Sequence, residues 1–207
     1  MILIITGGIG SGKSVAAGML NEMYGFPVYS ADVRVKELYN ECPGLLDSIE
    51  AELGCSLRDK DGNFVPSLLA REIFSESGAL EKVETLVFPV LMDDFNKWVE
   101  EHPAGVHIME SATVMEKDFF RGFGDLALLV TAPLELRIMR AVHRDSSTDE
   151  QVRARISKQK LMNDPSLLEG KTSLPFEVIL NDGSTLDLRE KLTDFVEKNG
   201  LTKMLQH

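Results

Sequence analysis

The chain has 207 residues and an apolar fraction of 43%, which suits one large α/β domain with an insertion. Its formal net charge of −11 would repel nucleic acid and anionic membrane surfaces, so we expect neither as a partner. The apolar residues 1–5 lack a basic leader and the run breaks at Gly7, which predicts neither a signal peptide nor a membrane span. We therefore expect a cytoplasmic protein in which Cys42 and Cys55 are free thiols.

A phosphate-binding loop follows the first predicted strand. Residues 7–14 read Gly-Gly-Ile-Gly-Ser-Gly-Lys-Ser and match the pattern G-x-x-x-x-G-K-[ST], with an apolar strand before them and a helical stretch after them. The alternative is a glycine-rich turn that merely joins a strand to a helix, and the attached Lys-Ser pair disfavours it. On an acidic chain, such a site must be locally basic.

Each residue type in this loop has a chemical reason. Glycines leave no Cβ between a polyphosphate and the backbone N–H groups that grip it. Lys13 can place a cation on the β- and γ-phosphates, and the Ser14 hydroxyl can ligate Mg²⁺. The N–H groups of Ser14 and Val15 open a helix whose dipole favours anions. The predicted nucleotide-binding residues of the loop are Gly8, Gly10, Ser11, Gly12, Lys13, Ser14 and Val15.

Five short apolar segments have the composition of buried parallel strands. They are residues 3–6, 27–29, 106–109, 126–131 and 178–180. Helical stretches separate them, and the first of these runs from Lys13 to Tyr24 and ends at Gly25. This alternation predicts an α/β fold with a doubly wound, five-stranded parallel sheet that binds ligands at the carboxyl ends of its strands.

Two helical regions are predicted outside this sheet. Residues 33–103 form a helical insertion, with helical patterns at 33–40, 44–53, 66–75 and 78–101, a tight turn at 59–63 and a kink near Pro89. The segment 135–160 is helical and basic, with seven Lys or Arg against four Asp or Glu. We call residues 137–160 the lid, which leaves a core of residues 1–32, 104–136 and 161–207.

Asp32 is the first candidate for catalysis. It follows the second predicted strand and should therefore lie at the carboxyl edge of the sheet, near the phosphate loop. A carboxylate there could accept the proton of an attacking hydroxyl group or orient that group. The alternative is that Asp32 caps the helix beginning at Val33. Both roles can hold, and we favour the catalytic one.

Glu110 ends the third predicted strand, where an acidic residue of such a sheet would lie against the Mg²⁺ shell. A surface carboxylate is the alternative, and the sequence leaves the two open.

Arg140 and Arg144 are four residues apart and share one helix face. They could fold over a nucleotide and stabilise the charge on a transferred phosphoryl group. Alternatively, they form salt bridges on a solvated helix, to Glu135 or Asp145.

Other polar and aromatic residues carry weaker signals. The four histidines show no metal-ligand spacing, so packing or surface roles are expected for them. Trp98 falls at helical spacing with Phe88 and Phe95, which predicts a core position within the insertion. Asn181 begins an Asn-Asp-Gly turn after the last strand, and a contact with the base of a nucleotide is its second interpretation.

Several segments together resemble the dephospho-CoA kinase family. They are the loop Thr6-Gly-Gly-Ile-Gly-Ser-Gly-Lys-Ser14, Pro27-Val-Tyr-Ser-Ala-Asp32, Arg71-Glu-Ile-Phe74, Arg140-Ala-Val-His-Arg-Asp145, Arg155-Ile-Ser-Lys-Gln159 and Val178-Ile-Leu-Asn181. The resemblance spans nearly the whole chain. It implies a P-loop kinase fold, with phosphorylation of the ribose 3'-hydroxyl of dephospho-CoA by ATP and Mg²⁺ as the last step of coenzyme A synthesis.

The resemblance also implies roles for individual residues. Asp32 is similar to the family's catalytic carboxylate on the acceptor side, Lys36 stands where the family usually has an arginine, and Arg140 is similar to a lid arginine. The predicted catalytic residues are then Lys13, Asp32 and Arg140. The predicted site for ATP adds Arg140, Arg144 and Asn181 to the loop, with Ser14 as the metal ligand. The predicted acceptor-binding residues, by analogy with P-loop kinases in which an insertion carries the acceptor, are Asp32, Lys36, Arg71 and Glu110.

The chain departs from the family pattern mainly in the insertion and next to it. Phe88-Pro89 replaces the family's usual His-Pro, and Pro66 replaces its customary arginine. Residues 110–116 replace the family's Pro-Leu-Leu stretch before a glutamate. Pro175-Phe176 replaces the family's usual Ala-Asp before the last strand.

Two other functions remain as alternatives. A kinase for a nucleoside or nucleotide is the first rival function, and a regulatory nucleotide-binding module is the second. The sequence leaves open whether the chain forms a homo-oligomer.

Overall fold

A computed structural model describes residues 1–159 and 172–206 of the chain. The last residue of the predicted lid, Lys160, and residues 161–171 of the predicted core lie outside the described residues. The chain divides into two compact units, one made of residues 1–30 and 102–207 and the other of residues 31–101.

The first unit is built on a five-stranded, fully parallel sheet. Its strands are β1 (Ile2–Thr6), β2 (Val28–Ser30), β3 (His107–Glu110), β4 (Leu126–Thr131) and β5 (Phe176–Leu180), in the order β2-β3-β1-β4-β5. β1 is central, and Ile5 lies beside Glu110 of β3 and Leu128 of β4. Residues at the carboxyl ends of β1, β3 and β4 therefore meet at one edge of the sheet. The predicted α/β fold is confirmed.

One face of this sheet carries the main hydrophobic core of the first unit. Leu3 and Ile5 of β1 alternate with residues that point to the other face, and both are fully buried. Helix α1 (Lys13–Tyr24) covers this face with Ala16, Ala17 and Leu20. It ends at Gly25 in the left-handed conformation, and the Gly25 N–H donates to the carbonyl of Asn21 at 2.8 Å. The predicted bounds of α1 are confirmed.

The second unit contains four helices, α2 (Ala31–Glu41), α3 (Pro43–Leu53), α4 (Pro66–Ser75) and α5 (Ala79–Glu101). Pro43 and Pro66 open their helices, where the missing N–H costs no hydrogen bond. Arg34 of α2 joins this helix to α5 by two hydrogen bonds of 2.8 Å to the Asp94 carboxylate. Pro89 lies inside α5, which the structure describes as one continuous helix from Ala79 to Glu101.

The basic segment after β4 forms two helices in the first unit, α6 (Leu134–Asp145) and α7 (Asp149–Ile156). Ser146 stops α6 in the left-handed conformation, and Thr148 begins α7 with a reciprocal capping box to Gln151. Ile138 and Ala141 of α6 pack against Val152 and Ile156 of α7. The two helices, which we call the α6–α7 pair, thus share a small core of their own.

The remaining elements complete the first unit. Two short 3-10 helices, Val114–Glu116 and Asp118–Phe120, connect β3 to β4, and helix α8 (Thr185–Lys198) follows β5. Cys42 and Cys55 are free, as predicted. None of the helices within residues 1–159 and 172–206 combines the length and the apolar character that a membrane span requires.

Candidate active site

The phosphate loop, residues 7–14, leaves the carboxyl end of β1 and enters α1 at Lys13. Gly10 has a φ of 75° and Gly12 a φ of 98°, both in the region that disfavours side chains. Gly12 caps α1 in this left-handed conformation and has no side chain to bond the first turn. The first N–H groups of α1 are consequently left for an anion.

The chain's own side chains also require these glycines. A Cβ at Gly8 would collide with the Arg137 guanidinium, one at Gly10 with the Arg137 carbonyl, and one at Gly12 with the Asn181 amide. The Asn181 amide donates to the carbonyl of Ser11 at 2.8 Å. The loop is therefore packed closely against residues far along the chain before any ligand binds.

We expect Gly12→Ala to lower the free energy of unfolding by about 3 kcal/mol, since it adds left-handed strain and displaces the Asn181 amide from Ser11. ADP binding should be lost as well, and thermal melting with calorimetric ADP titration measures both. Gly25→Ala is the matched control, because Gly25 has a φ of 69° but open space around its Cβ position. It should cost about 1 kcal/mol and leave ADP binding intact. Equal losses in the two variants would contradict a packing role for Gly12.

Lys13, Ser14 and Glu110 form a polar cluster beside the loop, in which Glu110 is buried and Ser14 is exposed. The Ser14 hydroxyl donates to Oε1 of Glu110 at 3.1 Å, and the Lys13 ammonium lies 3.4 Å from the same oxygen. The Ser30 hydroxyl donates to Oε2 of Glu110 at 2.7 Å. Because β1 and β2 both neighbour β3, their ends bring Lys13, Ser14 and Ser30 onto the last residue of β3.

The interpretation of Glu110 as a surface carboxylate is wrong, because only 4% of this residue is exposed. The sheet register buries it, since Glu110 lies in β3 between β1 and β2 and pairs with both Ile5 and Ser30. Its contacts are with the phosphate loop and β2. A contact of Glu110 with the acceptor stays a prediction.

The oxygen atoms of Ser14 and Glu110 fit a magnesium ion. Within residues 1–159 and 172–206, no three His, Cys, Asp or Glu side chains are grouped as metal ligands. Mg²⁺ bound with a nucleotide does not need such a group, because it takes one or two protein oxygens together with waters and phosphate oxygens. A hydroxyl and a carboxylate that already touch at 3.1 Å are hard donors of this kind.

Arg140 and Asn181 meet at the carboxyl edge of β4 and β5. The Arg140 guanidinium donates to the Asn181 carbonyl at 3.1 Å, while the Asn181 side chain holds Ser11. Asn181 is buried, and Arg140 is half-buried. The Asn181 amide thus supports the phosphate loop, and its contact with a nucleotide base stays a prediction.

Arg144 forms a salt bridge at the end of α6, as the alternative interpretation expects. Its guanidinium binds both carboxylate oxygens of Asp145, at 2.6 Å and 3.0 Å, and Arg155 binds the same carboxylate at 2.9 Å. The hydrogen bond to Arg144, together with Arg155, lowers the pKa of Asp145 to about 2. Arg144 is more than half exposed, so a nucleotide could still recruit it from this pair.

Arg137 is a residue of the site that the sequence did not single out. It is 4% exposed, and its Nε donates to the carbonyl of Ile9 in the phosphate loop at 2.9 Å. Burial lowers the pKa of its guanidinium from the usual value. The available signal was its position three residues before Arg140, which places both on neighbouring turns of one helix.

The predicted acceptor-binding residues Asp32, Lys36 and Arg71 belong to the second unit. Asp32 lies in the first turn of α2, two residues beyond the end of β2. Lys36 is exposed on the same helix. Arg71 is exposed on α4 and pairs with its neighbour Glu72 at 2.9 Å. Their contacts with a substrate stay predictions.

The first unit also has cavities beside its sheet. One of about 490 Å³ lies at the carboxyl end of β4, lined by Thr131, Leu134, Arg137 and residues of α7. Another of about 340 Å³ is lined by Ile4, the connection between β3 and β4, and Leu174. The first of these adjoins Arg137 and with it the phosphate loop.

A parallel sheet whose first strand runs into a G-x-x-x-x-G-K-S loop and a helix defines a P-loop protein, a class that binds nucleotide phosphates at this edge. The family model for dephospho-CoA kinase matches residues 1–187. The chain belongs to the dephospho-CoA kinase family. It is accordingly a phosphotransferase of coenzyme A biosynthesis that uses ATP to phosphorylate an alcohol group, and dephospho-CoA is its acceptor.

Relatives support this assignment across most of the chain. A dephospho-CoA kinase from Bacteroides fragilis is 38% identical over 185 residues, which cover 86% of this chain and 83% of that protein. A crystal structure from Thermus thermophilus is 28% identical with a TM-score of 0.79, and the match covers 96% of this chain and 97% of that one. A dephospho-CoA kinase structure from Campylobacter jejuni is 19% identical with a TM-score of 0.62, covers 98% of both chains, and shows the fold alone.

Proposed function

We propose that the phosphate loop and Glu110 hold ATP and its metal ion, and that Asp32 presents the ribose 3'-hydroxyl of dephospho-CoA to the γ-phosphoryl group. The observation that carries this proposal is the contact of Glu110 with both Lys13 and Ser14. A carboxylate, an ammonium and a hydroxyl at the start of a helix form an environment that suits a polyphosphate with its cation.

The phosphates of ATP would lie in the loop, beside the first N–H groups of α1, which no side chain caps. Lys13 then neutralises charge on the β- and γ-phosphates, and this stabilisation grows as charge develops in transfer. Arg140 is the proposed lid arginine, because it is held at the loop through Asn181. Arg144 joins it only if the nucleotide outcompetes Asp145.

Ser14 and Glu110 are the proposed residues that hold Mg²⁺. The ion supplies charge neutralisation and orientation of the phosphate oxygens. Glu110 already accepts hydrogen bonds from Ser14 and Ser30, so its carboxylate is oriented before the nucleotide arrives. Both oxygens of this carboxylate are fixed by hydrogen bonds, which favours a role for Glu110 in holding the metal ion over a role in binding the acceptor.

Asp32 is the proposed group that accepts the proton of the attacking hydroxyl or orients that hydroxyl. Asp32 lies in the first turn of α2, which begins directly after β2 ends, and this position supports the proposal. Lys36 and Arg71 supply positive charge in the second unit, and we propose that they bind the phosphates of the acceptor. Both cysteines are free, which fits a reducing compartment, and we propose a cytoplasmic enzyme.

A coupled assay that follows ADP formation tests the function. We expect turnover with ATP, Mg²⁺ and dephospho-CoA, a phosphate added at the ribose 3' position, and no turnover after EDTA removes the metal. Nucleosides and nucleotides offered under the same conditions are the controls, and faster turnover with one of them would favour the first rival. Slow hydrolysis that ignores every acceptor would favour a regulatory nucleotide-binding module.

A further inference from the structure

The backbone of Ile9 in the phosphate loop is held by two side chains from the α6–α7 region. Its N–H donates to Oε1 of Gln159 at 2.8 Å, and its carbonyl accepts from Nε of Arg137 at 2.9 Å. Both partners are buried, with 8% of Gln159 and 4% of Arg137 exposed. Water therefore competes weakly for these two hydrogen bonds.

The side chain of Ile9 makes a third attachment to the same region. It packs against the core that Ile138, Ala141, Val152 and Ile156 form between α6 and α7. Ile9 is thus attached to the α6–α7 pair through its N–H, its carbonyl and its side chain. Gly10, the next residue, has a φ of 75° and begins the tight turn of the loop. The position of Ile9 therefore fixes the position at which that turn begins.

Gln159 is well placed to hold this position. It lies three residues beyond α7, and its own N–H donates to the carbonyl of Ile156 at 3.0 Å. Its backbone is thereby tied to the last residue of α7, while its side chain reaches Ile9, 150 positions earlier in the chain. Removing the side-chain oxygen would take this acceptor away from the partly buried N–H of Ile9.

We propose that Gln159 is a positioning residue for phosphoryl transfer, which keeps the phosphate loop in its ligand-ready shape by fixing Ile9 to the α6–α7 pair. The proposal rests on the proposed function in one respect, namely that the phosphates of ATP bind in this loop. Gln159 does not contact the acceptor in this scheme. Its loss should weaken nucleotide binding and leave the acceptor's own KM unchanged.

Gln159→Met tests the proposal, since methionine keeps the size of the side chain and removes the acceptor oxygen. We expect the Kd for ADP and the KM for ATP to rise about tenfold, the effect of losing one partly buried hydrogen bond. The KM for dephospho-CoA should stay within about twofold of wild type, and the melting temperature should fall by about 2–4 °C, the effect of one lost hydrogen bond in a domain of this size. Calorimetric titration with ADP needs no turnover, so it tests the loop even if the wild-type chain fails to phosphorylate dephospho-CoA.

A matched control variant completes the experiment. Ser157→Ala, two residues away, removes an exposed hydroxyl that donates to the carbonyl of Ala154, and it should change nothing. ADP affinity of Gln159→Met equal to wild type would overturn the proposal. So would equal weakening of the binding of both substrates. If Gln159→Met does not fold, Gln159→Asn, with its shorter reach, replaces it.

Discussion

Replacing Lys13 with alanine is expected to lower kcat/KM for ATP by about 10³-fold, because the variant loses the cation that neutralises charge on the β- and γ-phosphates. The side chain is 12% exposed and lies 3.4 Å from Glu110, so its charge acts in a site with little water. Removal also leaves the Glu110 carboxylate without that cation, which should weaken ATP binding as well as transfer. Steady-state kinetics with varied ATP and saturating dephospho-CoA give the value.

Lys198→Ala is the matched control for this variant. Lys198 ends α8 and pairs with Glu177 at 2.9 Å, and its side chain is 69% exposed. Its removal takes away the same charge from the surface and should leave kcat/KM within about twofold, as exposed ion pairs contribute little. If Lys13→Ala kept turnover near wild type while circular dichroism showed a folded protein, the loop would not be the site of transfer.

Asp32→Ala is expected to reduce kcat by about 10²–10⁴-fold, the range for loss of a group that accepts or directs the proton of a nucleophile. ADP should bind as in wild type, because the phosphate loop is intact. Asp32→Asn separates two roles, since an amide can still orient a hydroxyl group but cannot accept its proton. Rapid-quench measurement of a single turnover detects the chemical step directly.

Asp61→Asn is the control for Asp32, because it removes an exposed carboxylate from a turn of the same unit. Its kcat should match wild type. Normal turnover in Asp32→Ala would remove the assignment and leave only helix capping for that residue. A loss of ADP affinity equal to the loss of kcat would instead indicate that Asp32 supports the phosphate loop.

Much of the fold could be predicted because its elements depend on local patterns. The strands are short apolar runs, and Gly25 ends α1 at the predicted residue since glycine takes the left-handed conformation there without strain. The predicted helical segments of the insertion appear as α2 to α5, because their apolar periods and opening prolines are local signals. The break in the basic segment at residues 146–148 was not predicted, although Thr148 and Gln151 form a capping box.

The candidate site was predicted less completely than the fold. The loop motif predicted Lys13 and Ser14 as site residues, because their spacing from the glycines is itself the signal. Glu110 stayed undecided between two interpretations, since a strand's last residue can face solvent or a neighbouring loop. Arg144 and Arg137 look alike in a basic helix, yet one pairs with Asp145 on the surface and the other is buried against Ile9.

By itself, the sequence determined that this chain binds a nucleotide phosphate on a parallel α/β sheet, because a strand, a glycine loop and a helix form from consecutive residues. Only the tertiary structure decided which side chains surround that loop. Glu110 reaches Ser14 across 96 positions and Gln159 reaches Ile9 across 150, and such contacts depend on strand order and helix packing. Local periodicity predicts neither strand order nor helix packing. The phosphate-binding loop could therefore be predicted from the sequence, whereas the side chains that hold it in place could not.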